Sequence, residues 1–384
     1  MIFIQNGYIK TMAGADMEKG CILLGDDGKI AAVGADLTAP EGAEIIDAGG
    51  RLVTPGCVEA HCHVGIHEEM LRWEGNDVNE KSDPLTPQMR ALDAIRPQDE
   101  GLELARNGGI TVICTGPGSA NVVGGTFVAL KTAGRCVDKM VLRDPVAMKC
   151  AFGENPKSAY GQNGRKAPNT RMANAAMLRD LLVKSRRYLE AKEAGKEPNY
   201  DAKLEAMIPV MKKEIALKAH AHRADDILTS VRIAKEFDVL LTMDHCTEGH
   251  VVAEELAESG YPALVGPSFG SKSKPELQGK SYATAGILHK AGVPVSIVTD
   301  APVTPINALP LFAGLAAGAG LPMEEAWRAI TINPARHMGI ADRVGSLEAG
   351  KDADVVIWSA DPLVYINAAP VTTIINGQVV WQAE

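Results

Sequence analysis

The chain has 384 residues, 46% hydrophobic and 4% aromatic, with a formal net charge of −9 and an isoelectric point near 5.6. That length and apolar content suit one large domain plus a smaller one. The acidic balance, with no Lys/Arg cluster to offset it, argues against a nucleic-acid surface. Seven cysteines, an odd number in a long chain, do not make a disulfide framework. No signal-peptide pattern opens the sequence, and no apolar run reaches the roughly 18 residues a membrane helix needs. The expectation is a soluble, cytoplasmic protein with neither membrane nor nucleic-acid partner.

The first fifty residues read as short strands and turns, with Asp27-Gly28 between apolar runs as a hairpin signal. An apolar segment from Leu52 then ends in His61-Cys62-His63. Spaced i, i+2 on a strand, the two imidazoles point to one face and offer half of a metal site. Apolar, β-branched runs recur at 111–114, 146–152, 215–219, 239–243, 263–265 and 293–298. Helical stretches separate them at 99–107, 171–194, 225–236, 251–259, 282–291 and 323–333. Such alternation predicts an α/β chain with a parallel sheet, most economically a (β/α)8 TIM-like barrel. The rival doubly wound sheet lacks a Gly-rich phosphate turn after its first strand. Two longer excursions, 68–97 and 153–169, read as lids or interface segments.

The last forty residues return to strand character, from Ala353-Asp354-Val355-Val356-Ile357-Trp358 onward. The two β-rich ends predict a small β-sandwich domain of residues 1–54 plus 345–384 around a barrel of residues 55–344.

Barrel chemistry gathers at strand ends, and four of them deliver metal-type ligands. These are His61 and His63, then His220 and His222, then His245 after Asp244, then Asp300. Four in succession make coincidence a poor explanation. The loop after 111–115 carries Gly118, Ser119 and Asn121, which places substrate-binding groups at the rim. In the second excursion Arg165 and Arg171 are weaker candidates for pairing with an anionic substrate.

With Thr54-Pro55-Gly56 leading into His61-Cys62-His63, the later His220, His245 and Asp300, and the tail Asn333-Pro334-Ala335 through Gly345–Asp354, the chain resembles the amidohydrolase superfamily of metal-dependent hydrolases. In detail it looks closest to the imidazolonepropionase-like and dipeptidase-like branch. The resemblance implies one or two divalent metal ions, zinc ahead of iron, manganese or nickel. It also implies one further ligand near the end of the fourth strand. Lys149, as a carbamate, fits by position, and an uncompensated lysine facing into a barrel is costly as a cation; Glu154 is the alternative. The family pattern favours His220 over His222 as the metal ligand, leaving His222 for substrate or a supporting role.

With His245 and Asp300 in the catalytic set, the expected reaction is hydrolysis of a C–N bond, in an amide, a cyclic amide or a peptide-type link, by a metal-activated water. Asp300 takes the water's proton and passes it to the leaving amine. The alternatives are a heterocyclic-amine deaminase and a non-catalytic scaffold of the same fold. The partner is a small-molecule substrate, and the family suggests a homo-oligomer, a dimer first.

Overall fold

The computed structural model describes residues 1–162 and 167–383. Eight strands form the barrel sheet: β1 (Cys57–Cys62), β2 (Ile110–Thr115), β3 (Val123–Lys131), β4 (Val141–Ala151), β5 (Ala216–Ala221), β6 (Leu241–His245), β7 (Ala263–Val265) and β8 (Val295–Ile297). They are hydrogen-bonded in sequence order. The seam between β8 and β1 closes without a regular ladder. There the Thr299 backbone N–H and hydroxyl donate to the Glu59 carboxylate at 2.8 and 2.6 Å, and His63 N–H donates to the Ala301 carbonyl at 2.7 Å.

One strand departs from the parallel expectation. β3 runs antiparallel to both neighbours, with Val112 opposite Lys131 and Thr126 opposite Met148. Residues 116–122 are too few for the dozen or more residues a parallel crossover needs, so the chain must reverse. None of the apolar runs read from the sequence covers 123–131, where Gly124-Gly125 interrupts the pattern. Gly125 is needed there: at φ +126 a Cβ would fall 2.4 Å from the Met89 carbonyl oxygen of the strap laid along β3.

Helices alternate with the other strands much as the periodicity predicts. Asp99 caps Glu100–Asn107 through the Gly101 N–H, and Thr170 caps Arg171–Glu193 through the Ala173 N–H. The predicted 323–333 helix is two pieces, Met323–Arg328 and Ile332–His337, with Thr331 in a non-helical conformation between them. Their apolar faces pack on the outside of the barrel strands, burying among others Leu102, Ile227, Phe237, Leu288 and Trp327.

The termini build a second eight-stranded sheet. Its central strand, Leu52–Pro55, pairs in parallel with Tyr8 and Ile9 and antiparallel with Val355–Ile357, so it joins the two ends of the chain. Ile4, Ile22, Leu24, Val53, Val355 and Ile374 form a core of their own. A buried ion cluster ties this sheet to the barrel. Lys131, at the end of β3, stands 2.6 Å from Asp354 and 3.0 Å from Asp352, and Asp352 also meets Arg343 at 2.8 Å.

Candidate metal centre

The strand-end residues converge at one mouth of the barrel. His61 lies on β1 and His63 just beyond it; His220 lies on β5 and His222 just beyond it. His245 ends β6 at φ +69, and Asp300, after β8, has φ +56. Left-handed backbone at non-glycine residues is uncommon and is held only where surroundings over-determine it. Here it turns both side chains toward the histidines.

Three imidazoles are oriented by the same device. The Nδ1–H of His61 donates to Asp244 at 2.5 Å, that of His63 to the Gly116 carbonyl at 2.6 Å, and that of His245 to the Gly266 carbonyl at 2.8 Å. Each acceptor fixes the tautomer and leaves the Nε2 electron pair facing inward. Gly266 makes a close approach possible: at φ +142 its Cβ would fall 2.1 Å from the Val298 carbonyl oxygen. His222 Nδ1 is held at 2.8 Å by the Thr247 hydroxyl, and the Asn155 amide donates to His220 Nε2 at 3.2 Å.

Burial drives the electrostatics. It lowers the basicity of His61, His220 and His222 well below the ordinary imidazole range, with nearby cations and imidazoles adding to the effect. For Asp300 burial acts the other way, yet His245, His63 and His61 together hold it as a carboxylate well below the usual range. Burial lowers Lys149 to about 8 against the pull of Asp244 and Asp300. Its ammonium is 3.1 Å from His61 Nε2 and 5.5 Å from the Phe127 ring centroid.

These groups suit a divalent cation. Ligand atoms of His61, His245 and Asp300 lie within 4.8 Å of one another, as do those of His220, His222 and His245, so two triads share His245. Asp300 Oδ1 is buried without a hydrogen-bond partner, 3.3 Å from His63 Nε2 and 3.5 Å from His61 Nε2. An unpartnered carboxylate oxygen beside the inward-facing lone pairs of His63 and His245 leaves acceptors that the neighbouring donors, Lys149 at His61 and Asn155 at His220, do not reach, and a metal ion is what satisfies such a set.

A cavity of about 490 Å³ opens over the cluster, lined by His63, Lys149, His220, His222, His245 and Asp300 and, at the rim, by Gly118 and Ser119. Asn121 is not brought there; its amide donates to the Glu80 and Asp83 carbonyls and to Thr86 Oγ1. Glu154 also lies aside, in a neighbouring depression with Lys157 and Gln162. Its backbone N–H donates to the Glu276 carboxylate at 3.1 Å. The adjacent Asn155 reaches the cavity instead. Arg171 is engaged by Asp226 at 2.9 Å, and Arg165 lies outside the described residues.

Sequence reasoning missed Asp244, Lys218, Asn155 and Glu276. Lys218 had a signal, since Lys218-Ala219-His220-Ala221-His222 alternates and sets all three long side chains on one face. Its ammonium sits 3.1 Å from Asp244. Glu276, 3.7 Å from both His220 and His222, comes from a distant loop with no periodic pattern to announce it.

The profile of the amidohydrolase family matches residues 52–380. A solved structure, an amidohydrolase from Thermotoga maritima MSB8, is 38% identical, covers all of both chains and superposes with a TM-score of 0.95. The amidohydrolase tasK of Hapsidospora irregularis is 30% identical over 367 residues, 88% of this chain but only 37% of its own length. The imidazolonepropionase of Bacillus velezensis is 28% identical over 368 residues, covering 85% of this chain and 79% of that one.

Proposed function

The chain belongs to the amidohydrolase family, in its imidazolonepropionase-like branch, as a metal-dependent hydrolase of C–N bonds, and we propose how its residues divide that work. In this reading His61, His63, His220, His245 and Asp300 hold one or two divalent ions, zinc first. Lys149, as a carbamate, would supply the further ligand. Support for Lys149 comes from its complete burial against His61, where an ammonium is costly. When bound, such an ion acidifies water and polarises a carbonyl oxygen. The observation that carries the reading is the pair of triads sharing His245, with the unpartnered Asp300 oxygen between the imidazoles.

The chain's own part follows from its groups. An amide carbonyl enters the cavity beside Gly118 and Ser119, with the scissile bond over Asp300. Asp300 accepts the proton of the attacking water and delivers it to the leaving nitrogen, so that water and amide become carboxylate and amine. His222, steadied by Thr247, contacts the substrate. Asp244 keeps His61 in its working tautomer.

No helix among the described residues is long and apolar enough to cross a membrane. A cytoplasmic homo-oligomer acting on small molecules belongs to the same reading. The test is a screen of metal-loaded protein over N-acyl amino acids, dipeptides, cyclic imides and hydantoins. Release of an amine with a new carboxylate is expected; release of ammonia from heterocyclic amines instead would assign a deaminase.

A further inference from the structure

The loop after β7 carries charge of the opposite sign to the rest of the molecule. Between Pro267 and Tyr282 it has Lys272, Lys274 and Lys280 against Glu276 alone, three minus one, or +2, in a chain of −9. The loop is held from beneath by the buried Glu276 and Leu277. Its three cations are not equivalent. Lys274 is neutralised by Glu276 at 2.8 Å and also donates to Asn155 Oδ1 at 3.1 Å. Lys272 donates to the Gln278 carbonyl at 2.5 Å, on the exposed side.

Lys280 faces inward. It lines the main cavity and shares a small adjoining cleft with His245. Among the described residues its ammonium donates only to the Phe269 and Ser271 carbonyls, at 3.3 and 3.4 Å. No carboxylate lies within ion-pair distance of it among the described residues. An ammonium has three donors, so one remains for the cavity. Partial burial and the neighbouring lysines lower its pKa, with Asp300 opposing; a counter-anion would relieve both. Among the described residues lining the cavity, Asp300 is the one carboxylate, and the cluster beneath already engages it.

We infer that Lys280 is the docking group for a carboxylate on the substrate, so that this enzyme acts on amides bearing a second, anionic end. The inference rests on the hydrolase reading for the position of the scissile bond. One ammonium with one donor to spare matches a singly charged carboxylate. A doubly charged phosphate recruits several donors at once.

The test is calorimetric binding of succinate, glutarate and adipate to the metal-loaded protein, each against its monoamide, in which one carboxylate becomes a neutral carboxamide. Wild-type protein should bind at least one dicarboxylate about tenfold or more tighter than its monoamide. Lys280→Met should erase that preference, and Lys280→Arg should keep most of it, with circular dichroism confirming that both variants are folded. Equal affinities for all three pairs in the wild type, or an undiminished preference in Lys280→Met, overturn the inference. Dicarboxylate preference without hydrolysis of any N-acyl amino acid fails the hydrolase reading and leaves the anion site standing. Hydrolysis that treats N-acyl amino acids and their amides alike, with no dicarboxylate preference, does the reverse.

Discussion

The carboxylate of Asp244 lies 2.5 Å from Nδ1 of His61, with both side chains fully buried. Lys218 approaches the same oxygen at 3.1 Å, and the Thr242 hydroxyl donates to the other at 2.8 Å. The result is a lysine–carboxylate–imidazole chain that ends at the ligand cluster. The carboxylate fixes the tautomer, and Lys218 balances its charge. Asp244→Asn leaves an amide oxygen to accept from His61 but removes the negative charge that makes His61 a stronger ligand and that balances Lys218. The variant should fold and should bind metal about 10–100-fold more weakly. Metal titration monitored by competition with a chromophoric chelator measures this, and unchanged affinity would remove Asp244 from the mechanism.

Asp300 is assigned the proton transfer, and its substitution separates that role from metal retention. Asp300→Asn keeps an oxygen near His61 and His63 but loses the base. Metal content should persist while kcat falls by about 10²–10⁴-fold. Elemental analysis alongside steady-state turnover decides it; near wild-type turnover would mean that another group moves the proton.

How much of this was legible in the sequence depends on whether a residue obeys its element's period. His61 and His63, Lys149 with Ala147 and Ala151, and the β5 series Lys218, His220 and His222 all follow strand alternation, and their faces could be read directly. Asp244 was not read as a site residue, and His245 was placed by its strand end alone, without a face. Adjacent strand residues point to opposite faces, and both reach the centre only because His245 turns at φ +69. The antiparallel β3 was hidden by its glycines. Lys280 and Glu276 lie on a loop, where no period exists and contacts are set by the tertiary fold. The hairpin at Asp27-Gly28 was plain, since the turn needs a positive φ there and Gly28 supplies +76.

His337 provides a pH dependence away from the ligand set. Burial, then Lys218 and Arg336, depress it to about 4, while its Nδ1 pairs with the Ser296 hydroxyl at 2.8 Å. Because the folded value lies below the unfolded value near 6.5, the unfolded chain takes up the proton first. The stabilisation is present above pH 6.5 and is lost as pH falls toward 4, amounting to about 3 kcal/mol. His337→Gln lacks this dependence. The Tm gap between wild type and variant should therefore narrow from pH 7 to pH 4; a constant gap contradicts the assignment.

The most direct measurement is divalent metal per chain, by inductively coupled plasma mass spectrometry, in protein purified without chelator under several metal supplements. Wild type should carry about one or two ions. His245→Ala, which removes the ligand common to both triads, should carry well under half of the wild-type amount while remaining folded. Wild-type protein with less than about one ion per chain under every supplement, or His245→Ala with an undiminished load, would contradict a metal-dependent hydrolase centred on these residues.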